Sequence, residues 1–463
     1  MSVASGGRRQ ARTLIQGATV VNPWGSLEGD VLVCGEQIVA VGELDPGPDD
    51  VVLDASGYLL LPGAVDPHAH ILGAVADGSR AALKGGTTTA LAFVNAEPGE
   101  EPAQAAARAL DEELPRSHLD LAFHAVIWEP ERYRRGQLRA LAELGVGSVK
   151  LWLAYPELGI MADDAQAFRV MQEAAELSMV VLAHCENGPV IAALGADLLE
   201  AGDCGLAAFA RARPQELEAE AVHRFLTLAR LAGATPYVVH VSGRQALAEV
   251  RRARTQARPV YAEVCTHHLL FDESRYLQPD ASRYLVVPPL RQAADCRALW
   301  YALEAGELDT LASDHNHRLL VDRPPATFAD AAAGLPGIGA RLPASMSAGV
   351  DSGLLRLERL VEVACTAPAR IFGLYPRKGI IAPGADADIV LWDPRRRDVL
   401  TTERIDDGLG WTPFEGMEIC GSIDTVFARG EIVVEHGRFV GIGHHGRYLS
   451  RGGSAPQMTD VQL

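Results

Sequence analysis

Eight short apolar runs, each followed by a stretch with helical periodicity, constrain the fold of this chain most strongly. Runs rich in Val, Ile and Leu are typical of parallel strands that are buried on both faces of a sheet. The stretches between them are rich in Ala, Leu, Glu and Arg. The runs are GAVDPH (63–68), TTALAF (88–93), LAFHAVIW (121–128), SVKLWL (148–153), MVVLAH (179–184), YVVHVS (237–242), VYAEVC (260–265) and DTLASD (309–314). Eight strands that alternate with helices predict an α/β fold, the (β/α)8 or TIM barrel.

The two ends of the chain have a different pattern. Residues 13–60 and 380–442 alternate apolar and polar residues between Gly, Pro and Asp, which predicts short β-strands. The simplest arrangement joins both ends in one small β-sandwich. We therefore expect residues 1–61 and 376–446 to form the two parts of the sandwich, 62–375 the barrel, and 447–463 a polar tail that is flexible or serves as an oligomer arm.

Charge and cysteine usage exclude several classes of function. The 463 residues include 42 Lys and Arg against 60 Asp and Glu, a formal net charge of −18. We expect no nucleic-acid partner, because phosphate binding needs a basic surface. Seven scattered cysteines without a CxxC pair argue against disulfides and favour a reducing, cytoplasmic location. We also expect no signal peptide and no membrane partner, since no apolar run approaches the roughly 20 residues of a membrane-spanning helix.

Six polar residues lie at or near the ends of five of these runs, where barrel enzymes carry their active sites. They are His68, His70, Lys150, His184, His240 and Asp314. Taken alone, a histidine at a strand end is usually a satisfied polar residue, and an aspartate there is usually a helix N-cap. Lys150 is harder to explain, because lysine is rarely buried unless it is paired. Together the six predict ligands that converge on a catalytic metal.

The order of motifs along the chain resembles that of one enzyme family. The motifs are PGAVDPHAH, GGTTT, SVKLWLAY, HCENG, YVVHVSG, EVCTHHLL, PPLR, SDHNH, GLPGI, IFGLYPRKG and GADADIVLWDP. From about residue 13 to about residue 440 the chain is similar to cyclic amidohydrolases of the hydantoinase and dihydropyrimidinase branch of the amidohydrolase superfamily. LYPRKG and HCEN favour this branch over dihydroorotases.

The resemblance implies a centre with two zinc ions, although other divalent metals stay open. His68, His70 and Asp314 would bind the more buried zinc. His184 and His240 would bind the more exposed one. The substrate would be a small cyclic amide that is opened by hydrolysis.

The resemblance also assigns the chemistry to Lys150, Tyr155 and Asp314. Carboxylation of the Lys150 amine by carbon dioxide would give an anionic ligand that bridges both ions and would resolve the burial of the lysine. A hydroxide shared by the ions would attack the ring amide carbon. Tyr155 and the more exposed zinc would polarise the carbonyl oxygen. Asp314 would take the hydroxide proton and return it to the leaving nitrogen.

The remaining histidines receive lesser roles. The resemblance places His267 and His268 in the pocket wall, without a direct part in catalysis. His315 and His317 adjoin Asp314 and are candidates to orient it. No motif surrounds the other six, which we expect to be ordinary surface or loop residues: His118, His124, His223, His436, His444 and His445.

Three departures from the family pattern concern substrate binding. The stretch between His70 and Gly85 is shorter than is usual in hydantoinases, and the missing part belongs to a loop that normally covers the substituent of the substrate ring. Val287 stands where serine is common, and Ala333 where asparagine is typical. In the family these two positions bind the ring amide largely through main-chain groups. We therefore expect a pocket with a less polar rim that still binds a cyclic amide.

Several alternatives stay open at this point. An allantoinase, or a specialised cyclic-imide or lactam hydrolase, would share the chemistry, and the shortened loop is compatible with either. A non-catalytic scaffold related to dihydropyrimidinases would have lost ligands, whereas all six positions and Tyr155 are present. A single-metal, deaminase-like enzyme would leave Lys150 unexplained. A homodimer or homotetramer is expected from the resemblance.

Overall fold

Both ends of the chain contribute strands to one sheet, and the middle contributes a second. The computed structural model describes residues 12–256, 259–320, 325–441, 443 and 446–451. The first strands are β1 (Arg12–Asn22), β2 (Gly25–Cys34), β3 (Gln37–Gly42), β4 (Asp50–Asp54) and β5 (Leu59–Pro62). The middle strands are β6 (Ala64–His70), β7 (Thr87–Val94), β8 (Asp120–Val126), β9 (Ser148–Trp152), β10 (Val180–His184), β11 (Thr235–Val238), β12 (Tyr261–Cys265), β13 (Thr310–Ala312) and β14 (His315–Asn316). The last strands are β15 (Ile389–Leu400), β16 (Met417–Ala428), β17 (Glu431–Glu435) and β18 (Arg438–Phe439).

Helices follow most of the middle strands. Those of the described residues are α1 (Val75–Lys84), α2 (Pro102–Glu112), α3 (Gln137–Glu143), α4 (Asp164–Glu176), α5 (Gly188–Glu200), α6 (Phe209–Ala212), α7 (Gln215–Ala232), α8 (Arg244–Arg254), α9 (Thr266–Leu270), α10 (Ala293–Glu304), α11 (Arg341–Ser345), α12 (Leu357–Val361), α13 (Ala367–Ile371) and α14 (Thr402–Ile405). Capping fixes several starts; at α4 the Asp163 carboxylate accepts from the backbone N of Gln166 at 2.7 Å. Within the described ranges, no helix combines the length and the apolar character that crossing a bilayer requires.

The first sheet joins the two chain ends through β5 and β15. Its strand order is β18-β17-β16-β15-β5-β1-β2-β3, with β4 paired to β1. β5 and β15 run antiparallel, and Leu60 lies opposite Leu391. Val20, Leu60 and Phe427 belong to the buried core that this sheet covers. The prediction that both ends build one small β-domain is confirmed.

The second sheet closes into a barrel. Its order is β13-β12-β11-β10-β9-β8-β7-β6-β14, and every pairing is parallel. Only Ser313 and Asp314 separate β13 from β14, so the pairing of His315 with Ala69 closes the ring. The eight apolar runs are therefore eight barrel strands, the last of them interrupted, and the predicted (β/α)8 barrel is confirmed.

Burial on both faces explains why these strands have no polar alternation. Every residue of β7 is buried. Val65 and Leu182 lie in the core inside the barrel. The outer faces are covered by helices, and α1 buries Ala81 and Leu83 there. The turn after α1 needs glycine, because a Cβ at Gly85 would lie 2.6 Å from the Gly339 carbonyl oxygen.

Residues 446–451 lie extended against the amino-terminal ends of β8 and β9. The Leu121 N donates to the Arg447 carbonyl oxygen at 2.8 Å, and the Leu449 N donates to the Leu121 carbonyl oxygen at 2.7 Å. Leu449 and Arg451 are buried. The tail expected from residue 447 thus begins with five residues that lie along the barrel, two of them buried, and its remainder, 452–463, lies outside the described residues.

Candidate metal centre

Three of the predicted ligands meet at the carboxyl end of the barrel. His68 and His70 share one face of β6, because alternate residues of a strand point the same way. Their Nε2 atoms lie 3.3 Å apart. Asp314 Oδ1, in the break between β13 and β14, lies 3.1 Å from the Nε2 of His68 and 3.5 Å from that of His70. The three ligand atoms fall within 4.8 Å of one another, so small shifts would let them bind one cation.

Glu263, on β12, holds His68 from the side opposite this cluster. Its Oε1 accepts from His68 Nδ1 and, at 2.9 Å, from the backbone N of His240. The Tyr237 hydroxyl donates to its Oε2 at 2.7 Å. Burial opposes a charge on His68, but Glu263 and Asp314 outweigh it and raise its pKa to about 9. A carboxylate in this position fixes the ring so that Nε2 faces Asp314.

His184 and His240 form a second group beside the first. His184 Nδ1 lies 3.0 Å from His240 Nε2. His184 Nε2 donates to Glu186 Oε2 at 2.8 Å, and Arg213 Nη1 donates to the same oxygen at 2.8 Å. Burial disfavours the Glu186 carboxylate, yet Arg213 and His184 lower its pKa to about 2. Because Nε2 of His184 carries the hydrogen, its Nδ1 lone pair is left for a metal.

Lys150 is fully buried on β9, and its Nζ has no hydrogen-bond partner among the described residues. The Nζ lies 5.0 Å from the ring centroid of Phe93 and 5.2 Å from that of Trp152. Phe93 packs against His68 and His70, and Trp152 packs against His184. Burial lowers the pKa of Lys150 to about 8, which leaves more of the amine neutral and nucleophilic. An orphaned amine beside both histidine groups fits a carboxylated lysine.

Three residues of this region have a strained backbone. Tyr155, His240 and Asp314 have φ values of 65°, 38° and 46°, a range that residues other than glycine rarely adopt. Such conformations cost of order 1–3 kcal/mol each and persist where the surrounding structure enforces them. The three residues are two of the predicted ligands and the predicted oxyanion donor.

The two groups line one cavity of about 670 Å³. Tyr155, Val287 and Ala333 line the same cavity, as does Arg213, whose guanidinium carbon lies 5.3 Å from the Tyr155 ring centroid. Most of the wall is apolar, and part of it comes from α5, α6 and the segment around Phe328: Ile191, Ala192, Ala196, Leu199, Phe209 and Phe328. Only residues 71–74 separate β6 from α1, so a short link borders the cavity at His70.

Sequence reasoning missed three charged residues that support the histidines. Glu263 lies inside the apolar run VYAEVC, and a buried carboxylate there was the same kind of signal as Lys150. Glu186 follows His184 by two residues in HCEN, so it was within reach of the same alternation argument. Arg213 comes from the turn between α6 and α7 and has no local signal.

One prediction about the remaining histidines is wrong. His124 is fully buried inside the barrel, where its Nδ1 lies 2.5 Å from Ser148 Oγ. A strand buried on both faces can direct a polar side chain inward without any motif. His267 and His268 are buried on α9 and are not among the described residues that line the cavity.

The other histidines occupy varied positions. His315 Nδ1 accepts from the backbone N of Gly337 at 3.2 Å. His118 and His317 are half-buried, and His223 and His436 are exposed. The predictions for His444 and His445 lie outside the described residues.

Known proteins resemble this chain over nearly its whole length. The sequence pattern of the Amidohydrolase family matches residues 59–433. A D-hydantoinase of Streptomyces coelicolor is 34% identical over 95% of this chain and 98% of its own length. A D-phenylhydantoinase of Escherichia coli is also 34% identical, with the same shares of each chain.

A solved structure agrees with this relationship. The dihydropyrimidinase of Brevibacillus agri superposes with a TM-score of 0.92 and 34% sequence identity, covering 96% of this chain and 100% of that one. The barrel, the clustered metal-ligating side chains and these similarities have one explanation. The chain belongs to the amidohydrolase family, in its hydantoinase and dihydropyrimidinase branch.

Proposed function

We propose that this protein opens the ring of a cyclic amide, of the hydantoin or dihydropyrimidine type, with a hydroxide bridging two zinc ions. The observation that carries the proposal is the meeting of His68, His70 and Asp314 with His184 and His240 in one cavity. Four imidazoles and a carboxylate suit zinc, and the names of the relatives point to cyclic amides as substrates.

Lys150 would bridge the two ions as a carbamate. A neutral or cationic amine cannot bind two cations, whereas a carbamate offers two anionic oxygens. The buried, unpartnered Nζ supports this role, since carboxylation would give it a reason to be buried. His68, His70 and Asp314 would hold one zinc, and His184 and His240 the other.

When bound, the zinc pair would supply a hydroxide at neutral pH and polarise the ring carbonyl. Asp314 would accept the proton of the attacking hydroxide and deliver it to the leaving nitrogen. Tyr155 would donate its hydroxyl hydrogen to the developing oxyanion. Burial raises the pKa of Tyr155, so the hydroxyl stays a donor at neutral pH. Glu186 and Glu263 would orient His184 and His68.

The cavity wall supports substrates with bulky, apolar ring substituents. Val287 and Ala333 replace polar side chains at the rim, and the short link after His70 leaves room above the metal site. An apolar contact of one methylene is worth about 1–3 kcal/mol, so the preference should be graded. Unsubstituted dihydrouracil should therefore be a weak substrate.

Metal analysis and a substrate panel test the proposal together. We expect about two zinc ions per chain, from the two ligand groups, and almost no turnover by His70→Ala protein. The kcat/KM of the metal-replete enzyme should be highest for an aryl-substituted hydantoin, lower for hydantoin, and lowest for dihydrouracil. Preference for dihydrouracil or allantoin would refute the substrate assignment, and zinc-free active protein would refute the mechanism. If the enzyme turns over none of these substrates, a lactam or cyclic-imide hydrolase becomes the favoured function.

We also propose that the protein acts in the cytoplasm, as a homodimer or homotetramer. Seven cysteines, all free of disulfides, support a reducing location. Light scattering of the purified protein and fractionation of cells would test assembly and location, respectively.

A further inference from the structure

Residues 446–451, here called the floor strand, close the amino-terminal end of the barrel. In addition to its two bonds with Leu121, the floor strand forms a hydrogen bond from the Arg451 N to the Gly145 carbonyl oxygen at 2.8 Å. Alternate residues point inward, as expected for extended backbone. Leu449 joins the core inside the barrel with Leu91 and Leu182. Arg451 is only 2% exposed.

Arg451 is a buried cation that has no carboxylate partner among the residues the structure describes. Its Nη2 donates to the carbonyl oxygen of Phe123 and, at 2.9 Å, to Ser148 Oγ. Within the described residues, the Arg451 guanidinium forms no ion pair, and its Nε has no hydrogen-bond acceptor. Burial lowers the pKa of Arg451 to about 10, so it is charged at neutral pH. An unpaired buried charge is costly, and proteins retain it where it has a task.

A directed chain of hydrogen bonds runs from Arg451 toward the metal centre. His124 Nε2 lies 3.0 Å from the carbonyl oxygen of Pro67, which can only accept, so this nitrogen carries the hydrogen. His124 Nδ1 must then accept from Ser148 Oγ, 2.5 Å away. Ser148 in turn accepts from Arg451. Burial lowers the pKa of His124 and keeps the ring neutral, as this direction requires.

Two members of this chain lie on the strands that carry predicted metal ligands. Pro67 directly precedes His68 on β6, and Ser148 lies two residues before Lys150 on the same face of β9. We propose that Arg451 is a positioning residue for the metal centre: through Ser148 and His124 it fixes β6 and β9 relative to each other. The inference rests on the proposed function, since it concerns the zinc that these strands would hold.

The site for the floor strand is built into the barrel. A Cβ at Gly145 would lie 2.0 Å from Ser450 Oγ and 3.0 Å from the Ser450 Cα, so this turn leaves space that the floor strand fills. At Gly147 the space is wider, and a Cβ would lie 3.5 Å from the Arg451 Cβ, an ordinary contact. The floor strand therefore packs closely against Gly145, where a side chain would clash, and makes ordinary contact at Gly147.

Zinc affinity of the apoprotein, measured by competition with a chelator, tests the proposal. Arg451→Met should weaken zinc binding about tenfold, the low end for residues that act through a ligand's neighbours. It should lower kcat with KM nearly unchanged. Ser148→Ala removes the link while leaving every residue of the floor strand unchanged and should have the same effect. The double variant should lose no more than either single variant. Arg447→Met, on the exposed side of the same strand, is the matched control and should bind zinc like the wild type.

The outcomes separate this inference from the proposed function. Wild-type protein that binds no zinc would overturn both. Zinc-binding wild type with unchanged affinity in Arg451→Met and Ser148→Ala would overturn the positioning role alone. If Arg451→Met does not fold, Ser148→Ala decides: full zinc affinity in this variant refutes the proposal, and weakened affinity supports it.

Discussion

Replacement of Glu186 would weaken zinc binding at His184 and His240, and the size of the loss follows from the hydrogen bonds that Glu186 accepts. Its Oε2 accepts two bonds, from His184 and from Arg213, both at 2.8 Å. Hydrogen bonds to a charged group contribute about 1.5–3 kcal/mol and neutral ones about 0.5–1.5. Glu186→Gln keeps an acceptor oxygen of the same reach but removes the charge. It should therefore lose about 1–1.5 kcal/mol from the bond to His184, whereas the bond to Arg213 stays assisted by the guanidinium charge and should lose less.

Only the bond to His184 bears on the metal. A loss of about 1.4 kcal/mol there corresponds to roughly tenfold weaker zinc binding. Glu186→Ala removes the acceptor altogether and leaves the buried His184 Nε2 and the half-buried Arg213 guanidinium without it. We expect zinc binding to weaken by roughly a hundredfold, the upper range for a residue that orients a ligand. The loss of the Arg213 bond should appear separately, as lower stability of the apoprotein.

The assay is zinc competition with a chelator, combined with urea unfolding of the same apoproteins. Glu157→Gln is a matched control, because Glu157 borders the same cavity but is exposed and bonds to no described histidine. Zinc affinity that decreases from the wild type to Glu186→Gln and further to Glu186→Ala supports the prediction. Equal zinc affinity in all three, with stability alone reduced, would show that Glu186 serves only to bury Arg213.

Three further predictions concern other parts of the molecule. Lys150→Ala should lose most of its zinc and activity, both partly restored by short carboxylic acids; wild-type metal content in this variant would refute the bridge. Tyr155→Phe should lower kcat by about 10²–10³ with a much smaller change in KM, since it removes an oxyanion donor, and wild-type turnover would leave Tyr155 as a wall residue. Burial lowers the pKa of His268 from 6.5 to about 4, so the unfolded chain binds this proton first as the pH falls. The contribution of His268 to the free energy of unfolding should be constant above pH 6.5 and decline toward pH 4, and in urea titrations His268→Gln should make the loss of stability over this interval smaller than in the wild type.

The barrel could be predicted because its strands are chemically distinct from their surroundings. Parallel strands covered on both faces need continuous apolar residues, and runs such as TTALAF and MVVLAH satisfy that need. The same uniformity made Lys150 conspicuous. It also concealed direction: with both faces buried, nothing in LAFHAVIW tells whether His124 points to the helices or to the barrel interior.

Partners distant in sequence were beyond reach for a different reason. Glu263 contacts His68 across 195 residues of chain, and only the closed barrel brings β12 and β6 to the same axis. Arg213 reaches Glu186 from a turn whose course depends on the packing of α6 and α7. Arg451 was hidden by composition, because polar and small neighbours outnumber the two side chains, Leu449 and Arg451, that face inward.

The pairing of β5 with β15 determines the order in which the two domains can be completed during synthesis. Leu60 lies opposite Leu391, so the ribosome must add roughly 330 residues before the partner of β5 exists. At about 5–20 residues per second this takes roughly 15–65 s, and during this time the edge of β5 that later pairs with β15 has no partner. The barrel strands, which pair with their neighbours in sequence, are complete before then. The nascent chain therefore spends most of its synthesis with one edge of β5 unpaired, and the terminal domain is the last part that can be completed.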